Sequence, residues 1–290
     1  MADRQITVGG VRITGVSDAG FDHHFPLDQL FPSVSAEVWE DYLRRYPGAF
    51  SGPKVWRVNV GCFLLQSRGR NILVDTGIGA AGGTVALSLK TPQGGRLIEK
   101  LQALGVSPQA VNTVLITHPH RDHVGGTIQG NGDQTRLAFP NARYVFSRAD
   151  WDTFQRPDVQ AAMPDGYVAE AVTPLERLGC LDLIDGEQPI TDEVTAIPTP
   201  GHTPGHTCVL ISSRGQAAII LGDSVVNPVQ ITDPTCVFRF DMDAAAAGRT
   251  RSTLLERIEA GGMIAIGGHF PAPGFGKLVR EDGRRLWQAI

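Results

Sequence analysis

The stretch Thr117-His-Pro-His-Arg-Asp-His-Val-Gly-Gly126 contains three histidines and one aspartate within six consecutive residues. It follows the apolar run Val111-Asn-Thr-Val-Leu-Ile116, whose composition predicts a buried strand. Alternating histidines at the end of a strand can face one metal ion, and the Asp-His pair that follows can reach a second ion nearby. We therefore predict that this stretch forms half of a metal site, with these candidate ligands: His118, His120, Asp122 and His123.

Three further candidate ligands occur later in the chain, each after an apolar run. His202 lies in Thr199-Pro-Gly-His-Thr-Pro-Gly-His206, Asp223 in Leu-Gly-Asp-Ser, and His269 in Gly-Gly-His-Phe. His202 would complete a group of three histidines, which leaves a catalytic zinc ion an open position for water. His269 would serve the second ion, and Asp223 could bridge both because one carboxylate has two oxygens. Two ions about 4 Å apart can share a bridging hydroxide, a nucleophile at neutral pH.

Both halves of the chain show strands followed by a helix. Residues 58–66 and 71–75 predict two strands around a polar turn, and residues 96–104 have the apolar spacing of a helix. The second half repeats this order, with strands that end at the candidate ligands and a helix over residues 244–259. This order predicts an α/β fold in one domain over residues 1–290. Two mixed sheets would carry helices on the outside and the metal site at one edge.

An aromatic-rich extension at about residues 20–56 precedes the first regular strands. Its central part, residues 21–56, contains eight of the chain's twenty aromatic residues, and four prolines interrupt it. Large aromatic side chains mostly serve packing, so the extension could simply cover the core. It could equally form the wall of a substrate pocket or a dimer interface, and the sequence leaves both alternatives open.

Composition restricts the class of protein. The chain has 290 residues, of which 42% are hydrophobic and 19% charged, and these fractions are those of a folded protein. The formal net charge is −4, and no basic run predicts a nucleic-acid partner. We find no apolar stretch of the roughly 20 residues that a membrane helix needs, and no secretory signal at the start. Four scattered cysteines without a C-x-x-C pair are typical of free thiols in the cytoplasm, where we expect the protein.

The sequence resembles the metallo-β-lactamase superfamily. The resemblance spans residues 71–269 and rests on Leu73-Val-Asp-Thr-Gly77, the two histidine-containing stretches quoted above, Leu221-Gly-Asp223 and His269. It implies an αββα sandwich of two mixed sheets and the seven ligands named above. It also implies that Asp75 orients a ligand histidine from outside the metal site. His206 matches a family histidine that is not usually a ligand, so a hydrogen-bonding role is expected for it.

Several branches of this superfamily differ from the chain at decisive positions. The redox di-iron branch has Glu where this chain has His120, and the best-known β-lactamases lack a carboxylate where it has Asp223. Quorum-signal lactonases share all seven ligands, but they often carry a Tyr at the position of Val226. The runs 222–230 and 267–276, with the Ala-rich helix at 244–247, look more like the methyl parathion hydrolase branch, whose members hydrolyse organophosphate triesters, aryl esters and lactones.

The resemblance thus implies a dinuclear hydrolase that uses a metal-bridging hydroxide to cleave an ester, lactone or phosphotriester, with Asp122 both binding metal and orienting the hydroxide. The alternatives are a quorum-signal (acyl-homoserine) lactonase, a thioesterase of the glyoxalase II kind, and a non-catalytic metal-binding sensor. Nitrogen and carboxylate ligands suit two Zn²⁺ ions best, although Mn²⁺, Co²⁺ or Fe²⁺ could occupy the same site. The partner would be a small molecule rather than nucleic acid or a membrane, and a homodimer is plausible. We expect an apolar pocket lined by these side chains: Trp151, Phe238, Phe21, Phe25 and Phe31.

Overall fold

A computed structural model describes residues 4–79, 94–130, 132–163 and 166–290 of the chain. Within these ranges the strands are β1 (Arg4–Val8), β2 (Val11–Asp22), β3 (Phe50–Gly52), β4 (Val55–Ser67), β5 (Arg70–Val74), β6 (Thr113–Leu115), β7 (Ile128–Gln129), β8 (Arg136–Leu137), β9 (Arg143–Ser147), β10 (Leu181–Ile184), β11 (Gln188–Thr191), β12 (Val194–Pro198), β13 (Thr207–Ser213), β14 (Gln216–Ile220), β15 (Ile264–Ile266), β16 (Phe275–Glu281) and β17 (Arg284–Ala289). The α-helices are α1 (Leu27–Leu30), α2 (Ala36–Arg45), α3 (Leu97–Ala103), α4 (Arg121–Val124), α5 (Arg148–Phe154), α6 (Pro157–Ala162), α7 (Pro174–Arg177), α8 (Val229–Thr232) and α9 (Ala244–Ala260). None of these helices is long and apolar enough to cross a membrane.

Two mixed sheets form the centre of the described structure. The first has the strand order β1-β2-β4-β5-β6-β9-β10, with β3 paired to β4, and the second runs from β11 to β17 in sequence order. In the first sheet β5, β6, β9 and β10 run parallel to one another while the other pairs are antiparallel, and in the second sheet only the pair β14–β15 is parallel among the described strands. Both sheets are therefore mixed, as the sequence predicts.

The side chains of the strands alternate between two apolar layers. In β13, Val209 and Ile211 lie in the core between the sheets, whereas Cys208 lies in the core between the second sheet and helix α9. Such alternation follows from the two-residue period of a strand. Phe63 in β4 likewise faces the second sheet, while its neighbour Cys62 packs in a separate core with helices α3 and α5. The layers are thus helix, sheet, sheet and helix, which confirms the predicted αββα sandwich.

The aromatic-rich extension forms an apolar cluster of its own. Phe31, Trp39, Tyr42, Phe50 and Trp56 are buried there, and the cluster also includes side chains from residues 226–238 of the second half. Most of these rings therefore serve packing, which was one of the two alternatives. Other side chains of the same extension reach the metal site, as described below.

The strand topology places the chemistry at one edge of the sandwich. Because β5 and β6 are parallel, their carboxyl ends meet at the same edge, and so do those of β14 and β15. The loops that follow these strands carry Asp75, the stretch 117–126, Asp223 and His269. The loop after β12 brings residues 199–206 to the same edge, where the backbone N–H of Thr207 donates to the Thr117 carbonyl at 2.9 Å.

Candidate metal centre

All seven predicted ligands converge into two adjacent groups. The first group consists of His118, His120, His202 and Asp223, and the second consists of Asp122, His123 and His269. Within each group, one candidate ligand atom of every residue lies within 4.8 Å of the others. Histidine nitrogens and carboxylate oxygens in such clusters suit divalent transition metals. Each group could therefore hold one ion.

Asp223 lies between the two groups and faces both. Its Oδ2 is 3.4 Å from Nε2 of His202 and 3.7 Å from Nε2 of His118. Its Oδ1 is 3.4 Å from Nε2 of His123 and 3.2 Å from Nε2 of His269. One oxygen is thus directed to each group, which is the arrangement a bridging carboxylate needs.

Asp75 supports the second group from outside. Its Oδ2 lies 2.8 Å from Nδ1 of His123, so the ring's other nitrogen is directed toward the centre. The carboxylate also accepts hydrogen bonds from the backbone N–H and the hydroxyl of Thr117, each at 2.8 Å. Asp75 has a φ of 60°, a left-handed conformation that aspartate tolerates better than most residues. The structure places this residue where the resemblance implies.

A second outer carboxylate, which sequence reasoning missed, supports the first group. Oδ1 of Asp241 is 3.1 Å from Nδ1 of His202, and Oδ2 is 3.2 Å from an Nη atom of Arg251. The side chains of Asp241 and Arg251 are each 1% exposed. The guanidinium of Arg251 also donates to the carbonyls of Ser224, Pro234 and Cys236. Asp241 is therefore held in place by a buried cation while it orients His202.

Two further supports, the carbonyl of Asn59 and the ring of His206, are neutral. His269 donates from Nδ1 to the carbonyl of Asn59 at 2.8 Å, because a carbonyl can only accept, and this leaves its Nε2 free to bind metal. His206 is not a ligand: its Nε2 accepts from the backbone N–H of Asp223 at 2.9 Å, and its Nδ1 lies 2.8 Å from the hydroxyl of Thr199. The neutral ring thus donates to Thr199 and holds the backbone of the bridging aspartate.

Asp150 fixes the loop that carries His202. It accepts a hydrogen bond from the Thr203 hydroxyl at 2.7 Å and another from the Gly205 backbone N–H at 2.6 Å. No short motif marks this residue, because it lies in helix α5, about fifty positions before the loop. Its role comes from the fold alone.

The unpaired atoms at the centre fit metal ions. His118 Nε2, His123 Nε2 and Asp223 Oδ1 are buried without a protein hydrogen-bond partner, and a buried polar atom without a partner costs free energy. Burial and neighbouring imidazoles lower the pKa of His118, and burial lowers that of His120 to about 3, so both rings are in the neutral form that binds metal. Burial opposes protonation of His123, but the nearby carboxylates raise its pKa to about 10. Metal binding there would release a proton.

A cavity of about 540 Å³ opens onto both groups. His120, Asp122, His202, Asp223 and His269 form its floor. Its wall is mainly apolar and includes these side chains: Phe21, Phe25, Trp56, Met163, Phe238, Phe240 and Met242. Phe238 stacks on the ring of His202, with 6.0 Å between ring centroids. Phe21, Phe25 and Phe238 therefore lie where the sequence predicts.

Two of the predicted pocket residues lie elsewhere. Trp151 packs in the core between the first sheet and its helices, with its ring edge-on to Phe146. Phe31 is fully buried behind the wall, where it stacks on Phe238 at 5.2 Å. Both predictions are wrong, because these large rings fill the core instead of facing the cavity. The lining residues His23 and Trp56 were not expected.

Comparison with known proteins agrees with this geometry. A family model described as metallo-beta-lactamase superfamily matches residues 55–269. An N-acyl homoserine lactonase of Bacillus sp. is 28% identical over 186 residues, which cover 60% of this chain and 65% of the lactonase. The match therefore spans slightly less than two thirds of that relative. Protein YobT of Bacillus subtilis (strain 168) is 28% identical over 268 residues, which cover 87% of this chain and 94% of YobT.

Solved structures share the fold over nearly the whole chain. The dizinc quorum-quenching lactonase AidC, solved in complex with a product, superposes with a TM-score of 0.82 at 22% identity, covering 99% of this chain and 97% of AidC. The hydrolase AbOPH, of the beta lactamase superfamily, superposes with a TM-score of 0.80 at 25% identity and the same coverage. Since the family model matches well over half of the residues, the chain belongs to the metallo-beta-lactamase superfamily.

Proposed function

We propose that the protein is a dinuclear metal-dependent hydrolase of carboxylic esters, with lactones of small, partly apolar molecules as its main substrates. The observation that carries this proposal is Asp223, whose two oxygens face two groups of imidazoles at the floor of an apolar cavity. The similarity to N-acyl homoserine lactonases supports lactones as the first class to test. A cavity of about 540 Å³ is large enough for a lactone with a short acyl chain.

In this proposal each group of side chains has a separate task. His118, His120 and His202 hold one divalent ion, while Asp122, His123 and His269 hold the other, with Asp223 shared. When bound, the two ions supply a nucleophile at neutral pH and stabilise negative charge on the substrate oxygens. Asp122 faces the cavity with a side chain that is 22% exposed, and it orients the attacking group. The aromatic wall excludes water and holds the apolar part of the substrate.

The finer properties belong to the same proposal. Zinc is the expected metal, because imidazole and carboxylate ligands suit it. All four cysteines are buried and unpaired, which favours the reducing cytoplasm as the place of action. Phosphotriesters with aryl leaving groups are the second candidate substrate, because the aromatic rings of the wall can stack on such groups. Homodimer formation stays a prediction, which light scattering would test.

A hydrolysis screen of the metal-loaded protein tests the proposal. The panel contains lactones, aryl esters, thioesters, phosphotriesters and β-lactams, and His118→Ala is the variant that removes one ligand. We expect lactones to be cleaved fastest, and we expect the variant to lose at least 100-fold in kcat/KM together with bound metal. Equal activity of the variant would contradict the dinuclear mechanism. Bound metal without any hydrolysis would instead favour a metal-binding sensor.

A further inference from the structure

We propose that His23, a residue of the aromatic-rich extension, donates a hydrogen bond from Nε2 to the substrate oxygen that gains negative charge beside the second group. The inference rests on the proposed hydrolase function and adds to it a polar contact outside the metal ligands. His23 lines the cavity together with Asp122 and His269, which are both members of that group. No sequence motif marks this position.

The ring of His23 is held in a fixed orientation. Its backbone N–H donates to the carbonyl of Trp56 at 2.8 Å, just after strand β2 ends. The ring stacks on His24 with 4.9 Å between centroids and on Trp56 with 6.0 Å, at an interplanar angle of 13° in both cases. Trp56 in turn contacts His269 edge-on at 6.1 Å. A ring packed in this way loses little conformational entropy when it binds a substrate atom.

The hydrogen bonds of His23 determine which nitrogen carries the proton. The backbone N–H of Phe25 donates to Nδ1 of His23 at 3.1 Å, so Nδ1 has a free lone pair. A neutral imidazole with an accepting Nδ1 carries its hydrogen on Nε2. Burial and the neighbouring His24 lower the pKa of His23 to about 4, so the ring is neutral at neutral pH. Within the described residues Nε2 makes no hydrogen bond, and it is therefore free to donate to a ligand.

The surroundings make such a donor useful. Most of the cavity wall is aromatic or aliphatic, so a substrate oxygen that enters loses its hydrogen bonds to water. His23 lines the cavity together with Asp122 and His269, and Trp56 joins its ring to that of His269, so the ring lies on the side of the second group. A fixed, neutral N–H directed at an oxygen that becomes negative stabilises the transition state more than the ground state. His23 can supply this contact without adding a charge that would compete with the metals.

Three substitutions separate donation from packing. His23→Phe keeps an aromatic ring between His24 and Trp56 but removes the donor. His23→Gln places an amide N–H near the position of Nε2, whereas His23→Asn can still accept from Phe25 but is too short to reach the substrate. His24→Phe is a packing control: His24 also lines the cavity and stacks on the His23 ring, so this variant shows how much activity depends on the stacking alone while the donor is kept.

The measurements are kcat and KM of the metal-loaded enzyme for its best lactone, together with metal content and melting temperature. We expect His23→Phe to lower kcat by about 10- to 100-fold with unchanged metal content, since loss of one donor to a developing oxyanion has effects of this order or larger. His23→Gln should recover part of the loss, and His24→Phe, which keeps the donor, should lose clearly less kcat than His23→Phe. If the Phe variant does not fold, the Gln and Asn variants give the same contrast.

Two results would overturn the inference. The first is a His23→Phe variant with wild-type kcat, or one in which only KM rises, because the ring would then merely form part of the wall. The second is an equal loss of kcat in the His23→Gln and His23→Asn variants, because the amide N–H of Gln would then give no rescue. Should the wild type hydrolyse no member of the panel, the proposed function fails and the role of His23 fails with it. Turnover by the wild type with unaffected variants would overturn the role of His23 alone.

Discussion

Substitution of Asp241 by Asn should weaken the first metal group selectively. The carboxylate of Asp241 lies between His202 Nδ1 and the guanidinium of Arg251, and it also accepts from the backbone N–H of Phe238 at 3.3 Å. An amide has the same shape but only one accepting atom. If its oxygen faces His202, its NH₂ group meets two donors on the other side. If the amide oxygen instead faces Arg251, the NH₂ group meets the Nδ1–H of His202. Either orientation loses at least one hydrogen bond.

The expected loss follows from these contacts. Removal of an outer partner of a ligand histidine typically costs 10- to 100-fold in metal affinity, or about 1.4–2.7 kcal/mol. If the amide oxygen of the Asp241→Asn variant still accepts from His202, we expect a loss in metal affinity at the lower end of this range. The unpaired donors should also cost about 1–3 kcal/mol in the free energy of unfolding of the metal-free protein, because the site is buried. Arg251 keeps its three backbone carbonyl partners, so the variant should still fold.

Asp75→Asn is the matched control, because Asp75 supports His123 in the second group as Asp241 supports His202 in the first. Zn²⁺ binding would be measured by competition with a chromophoric chelator, and Co²⁺ spectra would identify the group that is filled. Asp241→Asn should weaken the step assigned to the three-histidine group and leave the other within threefold, and Asp75→Asn should do the reverse. If both variants weakened the same metal-binding step equally, Asp241 and Asp75 would not support separate metal groups and the reasoning would be refuted.

Three further predictions concern backbone, pH and metal. Gly222→Ala should lower both the melting temperature and the activity, because Gly222 has a φ of 50° and a Cβ there would lie 2.6 Å from His206 Nε2. Gly69→Ala is its control: Gly69 has a φ of 75° but lies in open space, so this variant should cost only conformational strain and leave activity intact. Burial raises the pKa of Asp18 to about 6, so its contribution to stability is full below about pH 4 and is lost as pH rises through 6. Urea unfolding should therefore show the wild type losing stability relative to Asp18→Asn across this window, and a constant difference would contradict the shift. If metal is present at 100 times its Kd, its removal with a chelator should lower the free energy of unfolding by about 2.7 kcal/mol. An unchanged melting temperature after chelation would argue against bound metal.

The sequence predicted which residues converge at the candidate site, because each of them lies directly after a predicted strand. The ligands in residues 118–123 lie within one short stretch, and His202, Asp223 and His269 each follow an apolar run that is a strand in the structure. Parallel neighbours β5–β6 and β14–β15 then bring these strand ends to one edge. Such residues can be predicted from sequence because the apolar run directly before each candidate ligand indicates a strand that ends there.

The parts that were missed depend on contacts between distant residues. Asp241 is 39 positions from His202, and nothing around it distinguishes it from any acidic residue that precedes a helix. Aromatic residues were harder still, because burial decides whether a ring forms core or pocket. Trp151 and Phe31 are apolar and large, as Phe238 is, yet only Phe238 faces the cavity.

The outer hydrogen-bond partners of the two groups come from different halves of the chain. The partners of His123 and His269 are Asp75 and Asn59 in the first half, whereas His202 is held by Asp241 in the second half. Each group nevertheless contains candidate ligands from both halves, and the Asp223 carboxylate lies 3.7 Å from His118 Nε2 in the first group and 3.4 Å from His123 Nε2 in the second. Binding of either ion would therefore tie the two sheets together at one edge. The apolar core between the sheets fixes their spacing, and the outer hydrogen bonds fix the direction of each ring. The cavity wall comes largely from the aromatic extension and from Phe238, Phe240 and Met242, none of which belongs to either group of candidate ligands. Substitutions at Phe21, Phe25 or Phe240, wall rings that support no ligand histidine in the contacts described above, should thus change the substrate while the ligand geometry stays constant.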